Sequence, residues 1–126
     1  MNKENLIELI DSLKLDKDEF WILSSGALVI RGIYPDAGDL DIALTKKGLQ
    51  QLKTNYNLKQ KENGWYIVND KVECVFDTKE PSKIEKYGNY NLQSIEKYYE
   101  FLKESNRDKD KARITLVEKY IKSRYL

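Results

Sequence analysis

The chain has 126 residues, enough for one domain with its own hydrophobic core and too few for two ordinary ones. Hydrophobic residues make up 40% and charged residues 34%, with six glycines and two prolines, a composition that excludes a disordered tail. The 22 basic and 21 acidic residues leave a formal net charge of +1, so there is no bulk attraction to nucleic acid or to an acidic membrane. The absence of histidine excludes Ser-His-Asp and Cys-His catalysis and every histidine-containing zinc site.

Met1 to Asn5 lead straight into an amphipathic pattern without the apolar stretch of a signal peptide, and no run approaches about 18 apolar residues. Neither secretion nor membrane spanning is expected. The single cysteine, Cys74, has no internal disulfide partner and points to a reducing, cytoplasmic setting.

Leu6, Ile7, Leu9, Ile10 and Leu13 recur at helical spacing and predict an amphipathic helix over residues 3–14. Phe20 to Leu23 form a short apolar run that stops at Ser24-Ser25-Gly26, as a buried strand entering a turn does. Ala27 to Ile30 then make a short helix closed at Gly32, and Tyr34-Pro35-Asp36-Ala37-Gly38 makes a loop. From Asp39 to Leu44 small or acidic side chains alternate with large apolar ones, which predicts a strand. Thr45 is a natural N-cap for a helix carrying Leu49 and Leu52 and ending near Tyr56. Trp65 to Val68 and Val72 to Phe76 read as a hairpin turning at Asn69-Asp70, and Pro81 interrupts the pattern. From about Leu92 onward the spacing predicts two helices, separated by a turn at Ser105 to Asp108. These elements describe one α+β domain over residues 1–126, with a small mixed β-sheet and flanking helices. Its core spans about 20–77, and a helical C-terminal segment covers about 92–124.

Asp39 and Asp41 stand one residue apart on a strand, so both carboxylates share a face with Cβ atoms about 7 Å apart, near enough to share a hard cation. Leu40, Ile42 and Leu44 take the opposite face and anchor the strand. On the later strand Glu73, Val75 and Asp77 share one face and Val72, Cys74 and Phe76 the other, which makes Glu73 the expected third carboxylate and Asp77 its competitor. Oxygen ligands without histidine or cysteine favour magnesium, with manganese the alternative, and magnesium completes its shell with water and phosphate oxygens. That donor set points to phosphoryl or nucleotidyl chemistry. Ser24, Ser25 and Gly26 offer hydroxyls and backbone N–H groups to a triphosphate, although the same residues also suit an ordinary strand-to-helix turn. Arg107, Lys109, Lys111 and Arg113 form a basic cluster that either neutralises an anion or is a solvated helix face. Tyr98, Tyr99 and Tyr120 fall at apolar helical positions and read as packing, and Cys74 reads as core.

Leu23-Ser24-Ser25-Gly26, followed after twelve residues by Asp39-Leu40-Asp41-Ile42, resembles the turn and Asp-x-Asp strand of the nucleotidyltransferase superfamily. That group includes DNA polymerase beta, the aminoglycoside and lincosamide nucleotidyltransferases, and the minimal nucleotidyltransferases of toxin-antitoxin and abortive-infection systems. Many members carry a paired glycine or Gly-Ser where this chain has Ser-Ser-Gly. Arg107 to Arg113 is similar to the charged helix start of the abortive-infection branch. The resemblance implies a magnesium-dependent transfer of a nucleoside monophosphate from a nucleoside triphosphate to a hydroxyl of a small molecule, protein or RNA, with release of pyrophosphate. Under it Asp39, Asp41 and Glu73 hold the metal, Ser24, Ser25 and Gly26 seat the triphosphate, and Lys109 or Arg113 neutralises it. The alternatives are a non-catalytic nucleotide- or partner-binding member of the fold, such as a toxin-antitoxin component working with a partner protein or a second copy, and a phosphohydrolase or nuclease built on the same carboxylates.

Overall fold

The computed structural model of the chain describes residues 1–77, 84–105 and 107–124. Thr78, Pro81 and Asn106 lie outside the described residues.

Helix α1, Lys3–Ser12, is capped by Asn2, whose side chain accepts from the Asn5 N–H, and it buries Leu6 and Ile10. It ends two residues before the expected residue 14, because the backbone turns extended at Leu13. Strand β1, Phe20–Ile22, is buried throughout, and helix α2, Ser24–Ile30, follows it directly. Ser24, Ser25 and Gly26 are therefore the first turn of α2 and not a separate turn before it. The helix closes where the sequence predicts: Gly32 takes φ +78 and its N–H donates to the Val29 carbonyl at 3.0 Å.

Strand β2, Leu40–Leu44, leads into α3, Lys46–Asn55, whose N-cap is Thr45: its Oγ1 accepts from the Gly48 N–H at 3.1 Å. Gly48 has to be glycine for packing reasons, since a Cβ there would stand 2.5 Å from the Glu19 carbonyl oxygen. Strands β3, Lys59–Gln60, β4, Tyr66–Ile67, and β5, Val72–Phe76, follow. Strands β6, Ile84–Tyr87, and β7, Tyr90–Gln93, form a hairpin through Gly88 at φ +63. Helices α4, Ile95–Glu104, and α5, Asp108–Arg124, complete the chain.

The expected helical start near Leu92 is corrected by β7. Leu92 is fully buried opposite Ile22 of β1, and the helix begins only after Ser94, whose hydroxyl accepts from the Lys97 N–H. An apolar residue three places before Ile95 fits a helical period and a strand equally well. The sheet consequently extends past residue 77. Among the described residues it has seven strands in the order β3-β4-β5-β2-β1-β7-β6, parallel at β2–β5 and β1–β7 and antiparallel elsewhere. The fold is mixed α+β with five α-helices among the described residues.

One core cluster joins Leu6 and Ile10 of α1, Val29 and Ile30 of α2, and the central strands through Ile22, Ile42 and Cys74. A second joins Leu28 of α2 to Ile95, Tyr98 and Leu102 of α4 and Val117 of α5. Helix α2 thus feeds both cores and seats α4 and α5 on the sheet. Arg31, just past α2, fixes the same junction. Its side chain is 2% exposed and its Nη2 donates to Glu85 Oε2 at 3.0 Å and to the Gln93 carbonyl at 2.7 Å, while Arg124 of α5 pairs with Glu85 Oε1 at 2.8 Å.

Candidate metal centre

The start of β2 places the first two carboxylates. Leu40, Ile42 and Leu44 are each fully buried, so Asp41 falls on the other side of β2 and is partly buried, while Asp39, expected on the strand, is an exposed bend residue immediately before it. Register places the third. Parallel pairing sets Asp41 directly opposite Glu73, and Leu40 and Ile42 opposite the fully buried Val72 and Cys74. One carboxylate oxygen from each of Asp39, Asp41 and Glu73 lies within 4.8 Å of the others. Asp77 does not join them: it sits four residues beyond Glu73, about 13 Å along a strand, and its N–H donates to the Leu44 carbonyl at the far end of β2. Phe76, expected on the core face, is 37% exposed where the strand leaves the core.

Electrostatics mark the cluster as short of positive charge. Burial, then repulsion from Asp39 and Glu73, pushes the Asp41 carboxyl up to about 6, with the Lys61 and Lys109 ammonium groups pulling the other way. Lys61, a residue the sequence did not single out, is ion-paired with Glu73 at 2.7 Å. The set of donor oxygens, their mutual distance and the incompletely neutralised charge all fit a hard divalent cation. Cys74 lies behind the cluster as core, its thiol pushed up to about 12 by burial and by the neighbouring Glu73.

The expected phosphate contacts separate into two kinds. Ser24 and Ser25 are partly buried, whereas Gly26 is buried and allows α2 to approach the sheet: a Cβ there would meet Ile22 Cγ2 at 3.0 Å. Ser24 is the only non-glycine residue with positive φ among the described residues, at 52°, and its N–H donates to Gln93 Oε1 at 3.0 Å. The turn thus adopts the left-handed geometry that glycine takes freely, held by a side chain from β7.

Of the basic cluster, Lys109 acts on Asp41 and forms no side-chain ion pair among the described residues. Arg113 has other partners: its Nη1 donates to the Tyr98 hydroxyl at 3.1 Å and its guanidinium stacks 5.3 Å from the Tyr34 ring centre. Arg107 pairs with the fully buried Asp110 at 2.6 Å and Lys111 with Asp108 at 3.5 Å. Burial raises the Asp110 carboxyl, but hydrogen bonds from Ser105 and Arg107 outweigh it and hold the group below its usual range. Tyr98 is buried, and Tyr99 and Tyr120 pack beside it in the second core, as their helical spacing predicts.

In comparisons with protein-family models, curated proteins and solved structures, the chain has no match. No helix among the described residues is long and apolar enough to cross a membrane.

Proposed function

We propose that this chain is a magnesium-dependent nucleotidyltransferase that moves a nucleoside monophosphate from a nucleoside triphosphate to an acceptor hydroxyl and releases pyrophosphate. The observation that carries the reading is the convergence of three carboxylate oxygens, from Asp41 and Glu73 on two strands paired in register and from Asp39 just before β2, within 4.8 Å of one another. Strands hold Asp41 and Glu73 more rigidly than loops would, and an all-oxygen set suits magnesium or manganese and disfavours zinc. When bound, the ion polarises the phosphoryl oxygens and offsets the charge that builds on the leaving pyrophosphate.

In this reading Asp39, Asp41 and Glu73 hold the ion. The Ser24 and Ser25 hydroxyls orient the triphosphate, and Lys109 offsets charge that the ion leaves uncompensated. The acceptor oxygen forms its bond to the α-phosphorus as the bond to the bridging oxygen breaks, the hydroxyl proton passes to solvent, pyrophosphate leaves, and the carboxylates keep these groups aligned. The acceptor is a small molecule, a protein or RNA in the cytoplasm, brought to the site by this domain alone, by a partner protein or by a second copy.

One observation favours the non-catalytic alternative. The Ser24 N–H is committed to Gln93 and the Arg113 guanidinium to Tyr98, so two groups assigned to the triphosphate already have partners within the chain. Pyrophosphate release with each of the four ribonucleoside triphosphates, magnesium and a cell extract as acceptor source separates the readings. Release by the wild type but not by Asp39→Ala/Asp41→Ala establishes transfer and names the donor. Nucleotide and magnesium binding without release favours the non-catalytic binding module, and a stoichiometric partner in a pulldown favours its toxin-antitoxin-like form.

A further inference from the structure

The segment before Glu73 is built to deliver a cation to it. Lys61 follows β3, its N–H donates to the Trp65 carbonyl at 2.7 Å, and its own carbonyl accepts from the Gly64 N–H at 3.0 Å. Gly64 closes this turn at φ +91, a conformation that favours glycine. Strand β4 then pairs Ile67 with Glu73, which brings the turn back beside the carboxylate edge of the sheet. The Lys61 ammonium ends 2.7 Å from Glu73 Oε1, with the two side chains 41% and 28% exposed.

We propose that Lys61 is a built-in counter-ion that competes with a divalent cation for Glu73 and so keeps the affinity for the bare ion low. The inference rests on the reading of Asp39, Asp41 and Glu73 as a metal centre. An ammonium on one oxygen of Glu73 puts a like charge within a few ångströms of any cation held by the three carboxylates. In a partly solvated site that repulsion weakens cation binding by about tenfold. A cation that arrives with a polyphosphate brings the negative charge that offsets Lys61, so the arrangement favours a metal–nucleotide complex over the free ion. A lysine that merely oriented Glu73 for the metal would have the opposite effect when removed.

The test is calorimetric titration of Mn2+ into the metal-stripped full chain, comparing the wild type with Lys61→Met, which keeps the apolar stem, and Lys61→Arg, which keeps the charge. The expected result is Mn2+ binding about tenfold tighter in Lys61→Met and unchanged in Lys61→Arg. Equal or weaker binding by Lys61→Met, with Mn2+ taken up by both proteins, overturns the competition and leaves the metal centre standing. If neither protein takes up Mn2+, the metal centre and the competition fall together.

Discussion

Asp41→Asn is expected to make the metal-stripped protein more stable at neutral pH. The Asp41 carboxyl rises from 3.8 to about 6 through burial and its two acidic neighbours, a difference of about 2 units or roughly 3 kcal/mol for a fully desolvated group. Asp41 keeps part of its solvent contact, so about 1–2 kcal/mol is the realistic figure. The sign follows from proton binding: between pH about 4 and 6 the folded chain holds this proton more tightly than the unfolded chain does. The cost of ionisation therefore appears as pH rises through that window and levels off above it. Asparagine does not titrate, so the stability difference between Asp41→Asn and the wild type should be small near pH 4.5 and reach about 1–2 kcal/mol by pH 7.5. Urea denaturation of both proteins in EDTA, repeated across that range, measures the difference and cancels the titrating groups that do not interact with Asp41. With saturating magnesium the advantage should shrink or reverse, since an ion bound only by the folded wild type stabilises it. A pH-independent difference, or a variant less stable than wild type at pH 7.5 in EDTA, would refute the claim that burial and the two acidic neighbours raise the Asp41 carboxyl.

Ser24→Gly should raise the urea midpoint, because the left-handed backbone at φ 52 costs a non-glycine residue about 1–2 kcal/mol, of which about 0.5–1 remains after the added freedom of the unfolded chain; an unchanged or lower midpoint would show that the Gln93 bond and local packing fully absorb the strain. Gly48→Ala should destabilise by about 1–3 kcal/mol in the same assay, since its methyl would stand 2.5 Å from the Glu19 carbonyl oxygen and α3 must shift to admit it.

The carboxylate pair was legible because strand alternation is a local property: Leu40, Ile42 and Leu44 announce a buried face and leave Asp39 and Asp41 on the other. Glu73 was legible by the same period, but the parallel register that sets it opposite Asp41 is decided by strands 32 residues apart and has no local signal. Strand β3 escaped notice because Lys59 and Gln60 are both exposed and polar, and β6–β7 because the exposed Lys86 and Tyr87 conceal the alternation of an edge hairpin. Lys61, Gln93 and Arg31 were silent for a different reason. Each matters through a partner at long sequence distance, Glu73, Ser24 and Glu85 respectively, and a lone charged or amide residue carries no mark of its partner.

Parallel pairing of β2 with β5 has a consequence for how such a site changes over time. Two parallel neighbours cannot be joined by a tight turn, so everything between Leu44 and Val72 is crossover, including the turn that carries Lys61. Lengthening or trimming that crossover leaves Asp41 opposite Glu73, because their alignment is enforced by the buried residues on either side of them and not by the length of the connection. The acidic groups and the lysine are therefore inherited under separate constraints: descendants of this chain could exchange or lose the lysine by remodelling one surface excursion while the acidic triad persisted.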